Sequence, residues 1–281
     1  PYAPSPAPRA ALNNQISVTV KKCGFFSGYL FDRAKEGDSF TVGDPSGEFC
    51  YEPVKDCPRI LAIAGGSGIT PFYSMAQAIA DGTENFDLTI LYGAEKEEDL
   101  IFRKQLDDLC SDKIKVVYVL HGEKKEGYEH GFITKEIIEK YVSGDFTVMM
   151  CGPGGMYEFV SKELEAWHLP LRRVKKEANC VGVRDVQDAE YDLTVHIGFD
   201  TYTVRASANE TILTAMERAG LSVPAKCRAG GCGFCHSKLV SGRYSLAGAD
   251  KRRLADLKFG YIHPCCSYPD SDMEIIVPKA Q

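Results

Sequence analysis

Three patterns in one chain predict a multidomain fold: a β-rich N-terminal segment, a doubly wound parallel α/β domain, and an α+β domain of the β-grasp kind. Alternation of apolar and polar residues over 15–21 (QISVTVK) marks a half-buried strand. Between residues 59 and 175, continuous apolar runs separated by helical stretches mark strands buried on both faces of a parallel sheet. After residue 190 a hairpin pattern, a helix and a cysteine-rich loop follow in close order.

The 281 residues, 44% hydrophobic and 26% charged, are enough for two or three cores. Boundaries are expected at 1–56, 57–178, a polar linker over 179–190, and 191–281. The net charge of −6, with no long basic run, argues against nucleic acid or an anionic membrane surface as partner. No apolar run approaches the ~18 residues of a membrane span, and no secretory signal is visible.

Taken in order, Pro1 to Pro8 reads as a Pro/Ala-rich leader and Gln15–Lys21 as a strand. A glycine turn at Cys23-Gly24 opens a short helix toward Leu30, and Ser39–Val42 reads as a further strand. Beyond Pro58, parallel strands are expected at Arg59–Ala64, Leu88–Tyr92, Ile114–Leu120, Phe146–Met150 and Leu171–Lys175. Helices are expected up to Ala80 and near Glu97–Leu109, Thr134–Tyr141 and Met156–Trp167. Past the linker, Tyr191–Ile197 and Thr201–Ala206 form a hairpin, and Asn209 caps a helix over Glu210–Ala219 that Gly220 ends. Strands at Ser237–Val240 and Met273–Val277 enclose a short helix near Asp250–Phe259.

The most specific motif is Cys227-x4-Cys232-x2-Cys235 with Cys265 in a distant segment, the spacing of a plant-type [2Fe–2S] site. Gly230, Gly231 and Gly233 are expected to take positive φ and bring backbone N–H groups toward sulfur. Zinc is the rival occupant, but its cysteines usually come as two C-x2-C pairs. Between Cys265 and Cys266 the first is expected to be the fourth ligand. It leaves 29 residues after Cys235, follows the rigid Pro264, and in an extended segment would face opposite to Cys266. Eleven cysteines are too few for a disulfide scaffold in a chain this long. Those outside the pattern (Cys23, Cys50, Cys57, Cys110, Cys151, Cys180 and Cys266) are expected as free thiols in a reducing cytoplasm.

Two glycine loops each follow a parallel strand: Gly65-Gly66-Ser67-Gly68-Ile69-Thr70-Pro71 and Cys151-Gly152-Pro153-Gly154. In a doubly wound fold such loops line the ligand crevice, and a helix N-terminus there favours a diphosphate. A glycine turn can also be purely structural, and it is the pair on one sheet edge that makes a cleft.

GGSGITP followed by CGPGGM resembles the nicotinamide-binding half of the ferredoxin–NADP(+) reductase superfamily. That family's flavin domain comes first, with Arg-x-Tyr-Ser/Thr and then Gly-x-x-Ser/Thr. Tyr2-Ala3 and Gly24-x-x-Ser27 are similar to these motifs. With a C-terminal ferredoxin, the order resembles phthalate dioxygenase reductases across essentially the whole chain. The resemblance implies a partial β-barrel flavin domain, with further strands N-terminal to Pro1 in a longer protein. It places Tyr2 at the isoalloxazine ring of FAD or FMN, and Ser27 at the flavin phosphate. Gly66, Gly68 and Thr70 would hold the nicotinamide diphosphate, with Gly152 and Pro153 on the facing loop. Cys151 would lie near the nicotinamide carbon that gives up hydride, so Cys151 and Tyr2 are the candidate catalytic residues. Two departures stand out: Ala3 occupies the place of a hydroxyl that serves the flavin, and Val174–Asn179 lacks the aromatic that usually covers it.

The expected activity is that of a flavin-dependent NAD(P)H oxidoreductase. It would pass single electrons through its [2Fe–2S] cluster to a redox partner protein, an oxygenase or an anaerobic reductase. Glu95, with Glu97 and Glu98 after the second sheet strand, favours NADH by repelling a 2′-phosphate, and Lys96 is the only base nearby in sequence. Rival readings are a non-catalytic electron-transfer subunit without its own flavin, and a subunit resembling the electron-transfer chain of dihydroorotate dehydrogenase. The ferredoxin part, Glu190–Gln281, holds ten acids and eleven bases, so composition reveals no charged docking face.

Overall fold

The computed structural model describes residues 2–22, 25–43, 45, 47–177, 184–246, 250 and 252–279. Gly24, which heads the Gly-x-x-Ser motif, and Pro1, Cys23, Asn179 and Cys180 lie outside the described residues. The chain divides into two compact units, residues 2–177 and 178–281.

In the first unit, helix α1 (Phe25–Asp32) is followed by β1 (Arg59–Gly65), α2 (Thr70–Ala80), β2 (Asp87–Ala94), α3 (Arg103–Asp108) and β3 (Ile114–Leu120). Then come β4 (Glu129–His130), α4 (Lys135–Tyr141), β5 (Thr147–Cys151), α5 (Gly154–Glu163) and β6 (Val174–Lys176). The strands form one parallel sheet in the order β4-β3-β2-β1-β5-β6. Each face is apolar and each is covered. Phe72, Ala76 and Leu106 of α2 and α3 pack over one face; Ile137, Ile138 and Val160 of α4 and α5 pack over the other. From β1 the chain builds outward to β4, then returns to β5 on the opposite side of β1. The strand order therefore reverses between β1 and β5, at their carboxyl ends.

Residues 2–56 differ from their alternation pattern. Residues 15–21 and 39–42 form no ladder; Val18 makes one antiparallel bridge, to Pro4. Alternation marks an apolar face, but a strand exists only where a partner supplies the hydrogen bonds. The leader is held against α2 instead: Ser74 donates to the Pro6 carbonyl at 2.7 Å and Gln77 to the Ser5 carbonyl at 3.1 Å. No closed barrel forms among the described residues.

The second unit holds β7 (Glu190–Ile197), β8 (Asp200–Ser207), α6 (Ile212–Arg218), β9 (Ser237–Ser241) and β10 (Tyr244–Leu246). It continues with α7 (Leu254–Lys258), β11 (Tyr261–Ile262), β12 (Ser267–Pro269) and β13 (Met273–Val277). The main sheet runs β11-β9-β13-β7-β8, with β13 parallel to β7 and the β7–β8 hairpin antiparallel. Ile212, Leu213, Ala215 and Met216 of α6 close its core, the β-grasp plan. Thr211, not Asn209, caps α6, its hydroxyl accepting from the Thr214 N–H at 3.2 Å. Asn209 is used elsewhere, exchanging hydrogen bonds with the Val186 backbone at 3.0 Å.

Candidate functional site

The first site forms where β1 and β5 end. Their register places Ala64 opposite Cys151, so both glycine loops leave the sheet side by side. The glycines divide the work. Gly66 has φ +54° and open space where a Cβ would stand, leaving its backbone approachable. Gly68 is needed for packing: a Cβ there would lie 2.0 Å from the Cys151 carbonyl oxygen. A Cβ on Gly152 would strike Met156, and the Gly152 N–H is already given to the Tyr157 hydroxyl at 3.2 Å. Thr70 is buried and donates to the Ser67 carbonyl at 3.2 Å, so its hydroxyl braces the loop. Pro153 precedes α5, and Cys151 is buried at the tip of β5.

Two tyrosines to which the sequence assigned no role hold these loops. Tyr92, fully buried on β2, donates to the Gly66 carbonyl at 3.0 Å and accepts from the Ile101 N–H at 3.2 Å. Tyr157 bridges the Gly152 N–H and the Glu177 carbonyl, the latter at 3.0 Å. A large aromatic with a polar tip at a strand or helix end beside a glycine loop was the available signal. Glu177, at the end of β6, is half-buried, and desolvation pushes its carboxyl above the usual range.

Glu95 is exposed just past β2, its carbonyl accepting from the Gly122 N–H at 2.9 Å. Lys96 is not the only base in space. Arg103 and Lys125 both bond the Glu97 carboxylate, which also accepts from the Tyr128 hydroxyl at 2.6 Å. Glu97 is therefore engaged by two cations drawn from other elements.

Tyr2 is 39% exposed, with its ring 6.2 Å from Phe26 on α1. Phe26, Tyr29 and Phe40 complete a cluster of partly exposed rings, each pair about one ring contact apart at 6.4–6.5 Å. This apolar surface suits a planar ring system such as a flavin. Ser27 on α1 is buried.

The second site is the cysteine loop before β9. Gly230 (φ +75°) and Gly233 (φ +70°) take the left-handed backbone; Gly231 does not, and Arg228 (φ +51°) does so in its place. Glu217 grips the Arg228 guanidinium at 2.8 and 2.5 Å, which holds that turn. The N–H groups of Ala229 and Cys232 each lie 3.4 Å from the Cys227 sulfur, and that of Phe234 lies 3.4 Å from the Cys232 sulfur. Burial raises the Cys227 thiol, but N–H groups from Ala229, Cys232 and Gly231 outweigh it and bring it to about 7.

Cys227 meets Cys232, and Cys265 meets both Cys235 and its neighbour Cys266. Among the described residues no three such ligands crowd around a point fit for a lone metal ion. The C-x4-C-x2-C spacing with a remote fourth cysteine suits two bridged irons better than one tetrahedral zinc. Cys235 and Cys265 are both buried, while Cys232 is exposed. The segment of Cys265 is a turn, not the extended run expected, with the Cys266 N–H donating to the His263 carbonyl at 3.0 Å. The two thiols stay in contact with each other, and Cys266 also packs under Gly230, where a Cβ would lie 2.7 Å from its sulfur.

Comparison with known proteins agrees with both sites. Residues 62–162 match the oxidoreductase NAD-binding domain and residues 195–270 the 2Fe-2S iron-sulfur cluster binding domain. The chain is 31% identical to the ferredoxin reductase component of 3-ketosteroid-9-alpha-monooxygenase from Mycobacterium tuberculosis, over 92% of this chain and 75% of that one. It is 29% identical to the NADH oxidoreductase HCR of Escherichia coli, over 93% of this chain and 79% of that protein. The solved structure of phthalate dioxygenase reductase matches with a TM-score of 0.63 and 25% identity, covering 90% of this chain and 74% of that one. The chain thus belongs to the ferredoxin–NADP(+) reductase superfamily, among the flavin-dependent NAD(P)H oxidoreductases whose C-terminal [2Fe–2S] domain passes electrons to a partner protein.

Proposed function

We propose that this chain takes reducing equivalents from NADH at the β1/β5 crevice and releases them singly at the Cys232 edge of its [2Fe–2S] site to an oxygenase. The observation that carries this is the pairing of Ala64 with Cys151, which sets two glycine loops together at the reversal of strand order. Gly66 leaves its backbone open to the diphosphate while Tyr92 fixes its carbonyl, and Cys151 ends β5 where the nicotinamide ring would lie. A bound flavin supplies the conversion between hydride chemistry and one-electron transfer. Tyr2 and the rings around α1 offer the surface for it. Cys227, Cys232, Cys235 and Cys265 hold the irons, and the more exposed pair, Cys227 and Cys232, marks where an acceptor can approach.

Residues 1–56 are read as the flavin part, 57–178 as the nicotinamide domain, 179–190 as a linker and 191–281 as the ferredoxin domain. An oxygenase partner is supported by relatives named as reductase components of monooxygenases. None of the nine described cysteines is in a disulfide, which supports a cytoplasmic setting. Among the described residues no helix is long and apolar enough to cross a membrane. The test is anaerobic addition of NADH to the flavin-loaded protein, followed by visible absorption. Bleaching of the cluster supports the reading; a flavin-loaded chain whose cluster stays oxidised would place it among non-catalytic electron-transfer subunits.

A further inference from the structure

A buried polar chain ties the cysteine loop to α7. His263 is only 1% exposed, among the apolar residues of the β-grasp core. Its Nδ1 lies 2.8 Å from the Gly230 carbonyl oxygen and its Nε2 lies 3.3 Å from Asp256 Oδ2. Asp256 is buried too, and accepts from the Arg253 guanidinium at 2.9 and 3.0 Å. An imidazole costs stability in such a place unless its bonds are made. A carbonyl and a carboxylate can only accept, so the Gly230 contact places a hydrogen on Nδ1 and the Asp256 contact one on Nε2.

The consequence follows from peptide geometry. No cis peptide occurs among the described residues, and in a trans peptide the carbonyl and the next N–H point in opposite directions. Anchoring the Gly230 carbonyl on His263 therefore aims the Gly231 N–H the other way, and that N–H is among the groups that lower the Cys227 thiol, beside the Ala229 and Cys232 N–H groups 3.4 Å from its sulfur. The N–H of Gly230 itself acts to lower the Cys265 thiol. Gly230 takes φ +75° in this turn, and the space a Cβ would need is filled by Cys266.

We propose that His263, oriented by Asp256, is a positioning residue for electron transfer: it sets the Gly230 peptide so that backbone N–H groups face the thiolates, and so raises the potential at which the cluster is reduced. Donors aimed at sulfur stabilise the more negative, reduced form. The proposal rests on the reading that Cys227, Cys232, Cys235 and Cys265 hold a [2Fe–2S] cluster.

The test uses the full chain with its cluster and compares wild type, His263→Leu and His263→Asn. Leucine keeps the bulk and removes the donor, whereas asparagine keeps an N–H donor near the place of Nδ1. Iron and sulfide content is measured first, then the midpoint by spectroelectrochemical titration. The Fe–S stretching bands are followed in H₂O and D₂O by resonance Raman. We expect His263→Leu to keep two irons per chain, to shift the midpoint to more negative potential, and to lose part of the deuterium sensitivity. His263→Asn should recover most of both. An unchanged midpoint and deuterium shift in an iron-replete His263→Leu overturns the proposal, as does an equal displacement in both variants. Should His263→Leu lose its iron, His263→Phe, which keeps a planar ring and offers no donor, decides: a more negative midpoint supports the proposal and an unchanged one overturns it. The wild-type iron and sulfide content reports separately on the ligand reading.

Discussion

Single atoms decide much of this molecule. Gly68 is the sharpest case, since its missing side chain is required by the backbone of Cys151 and no rotamer change can make room. Gly68→Ala should cost about 3 kcal/mol or more, as backbone must shift to relieve the overlap; thermal unfolding measures it. Glu177 gives a pH-dependent counterpart. Its carboxyl is raised by burial above the ordinary 4.5, so the folded chain holds that proton more tightly than the unfolded one. The stability linked to it is complete below the ordinary carboxylate range and is lost as pH rises through the raised folded value. Glu177→Gln should therefore melt higher than wild type at pH 8 and no differently at pH 4. The two adjacent cysteines make a third test. Cys265 is buried beside Cys235, while Cys266 packs under Gly230. Cys265→Ser should strip or gravely perturb the cluster absorption and reduced-state EPR signal, and Cys266→Ser should leave both nearly intact. The reverse result would mean the register is wrong by one residue.

At the scale of elements, strands buried on both faces were legible because their apolar runs have no other use: β1 and β3 lie where their composition puts them. What periodicity missed was set by tertiary contact. The helix expected over Glu97–Leu109 breaks into a 3-10 turn at Glu97–Asp99 and α3, because Phe102 turns to φ +58° and stacks on Tyr73 at 4.3 Å. That break brings Arg103 to Glu97, and the loop after β3 brings Lys125. A local reading of the acids found only Lys96 beside them. The space beyond β2 thus holds two masked cations at a place where a doubly wound fold reads the adenosine ribose. Glu97→Ala should free both for a 2′-phosphate, and each charge-assisted bond is worth about 1.5–3 kcal/mol at best. We expect kcat/KM for NADPH to rise about tenfold while that for NADH changes little. A variant as selective as wild type would leave the burden on Glu95 and Glu98.

For the whole molecule, the cluster ligands were legible because four thiolates at fixed spacing have few other uses, whereas charge organisation was not. Ten acids and eleven bases in Glu190–Gln281 average to nearly nothing. The fold separates them. Along the cysteine loop and α7, Lys226, Arg228, Arg253 and Lys258 are exposed; Arg228 is paired with Glu217 and Arg253 with the buried Asp256, so the excess positive charge there rests on Lys226 and Lys258. Phe234, Leu254, Leu257 and Phe259 are exposed in the same two segments. Arg253 links them, its guanidinium 3.5 Å from where a Cβ on Gly233 would stand. The chain as a whole carries −6, so a positive rim here opposes its net charge and gives the encounter a direction. An acceptor that docks on this face should present carboxylates around an apolar centre. Its second-order reduction rate should then fall steeply as salt rises from about 20 to 300 mM, through screening over about one Debye length. Lys258→Glu should slow that rate about threefold at low salt, with the cluster's absorption and NADH-driven bleaching unchanged. The difference should vanish at high salt, because only the approach of the partner has been altered. A rate indifferent to both salt and Lys258→Glu would move the docking face away from α7.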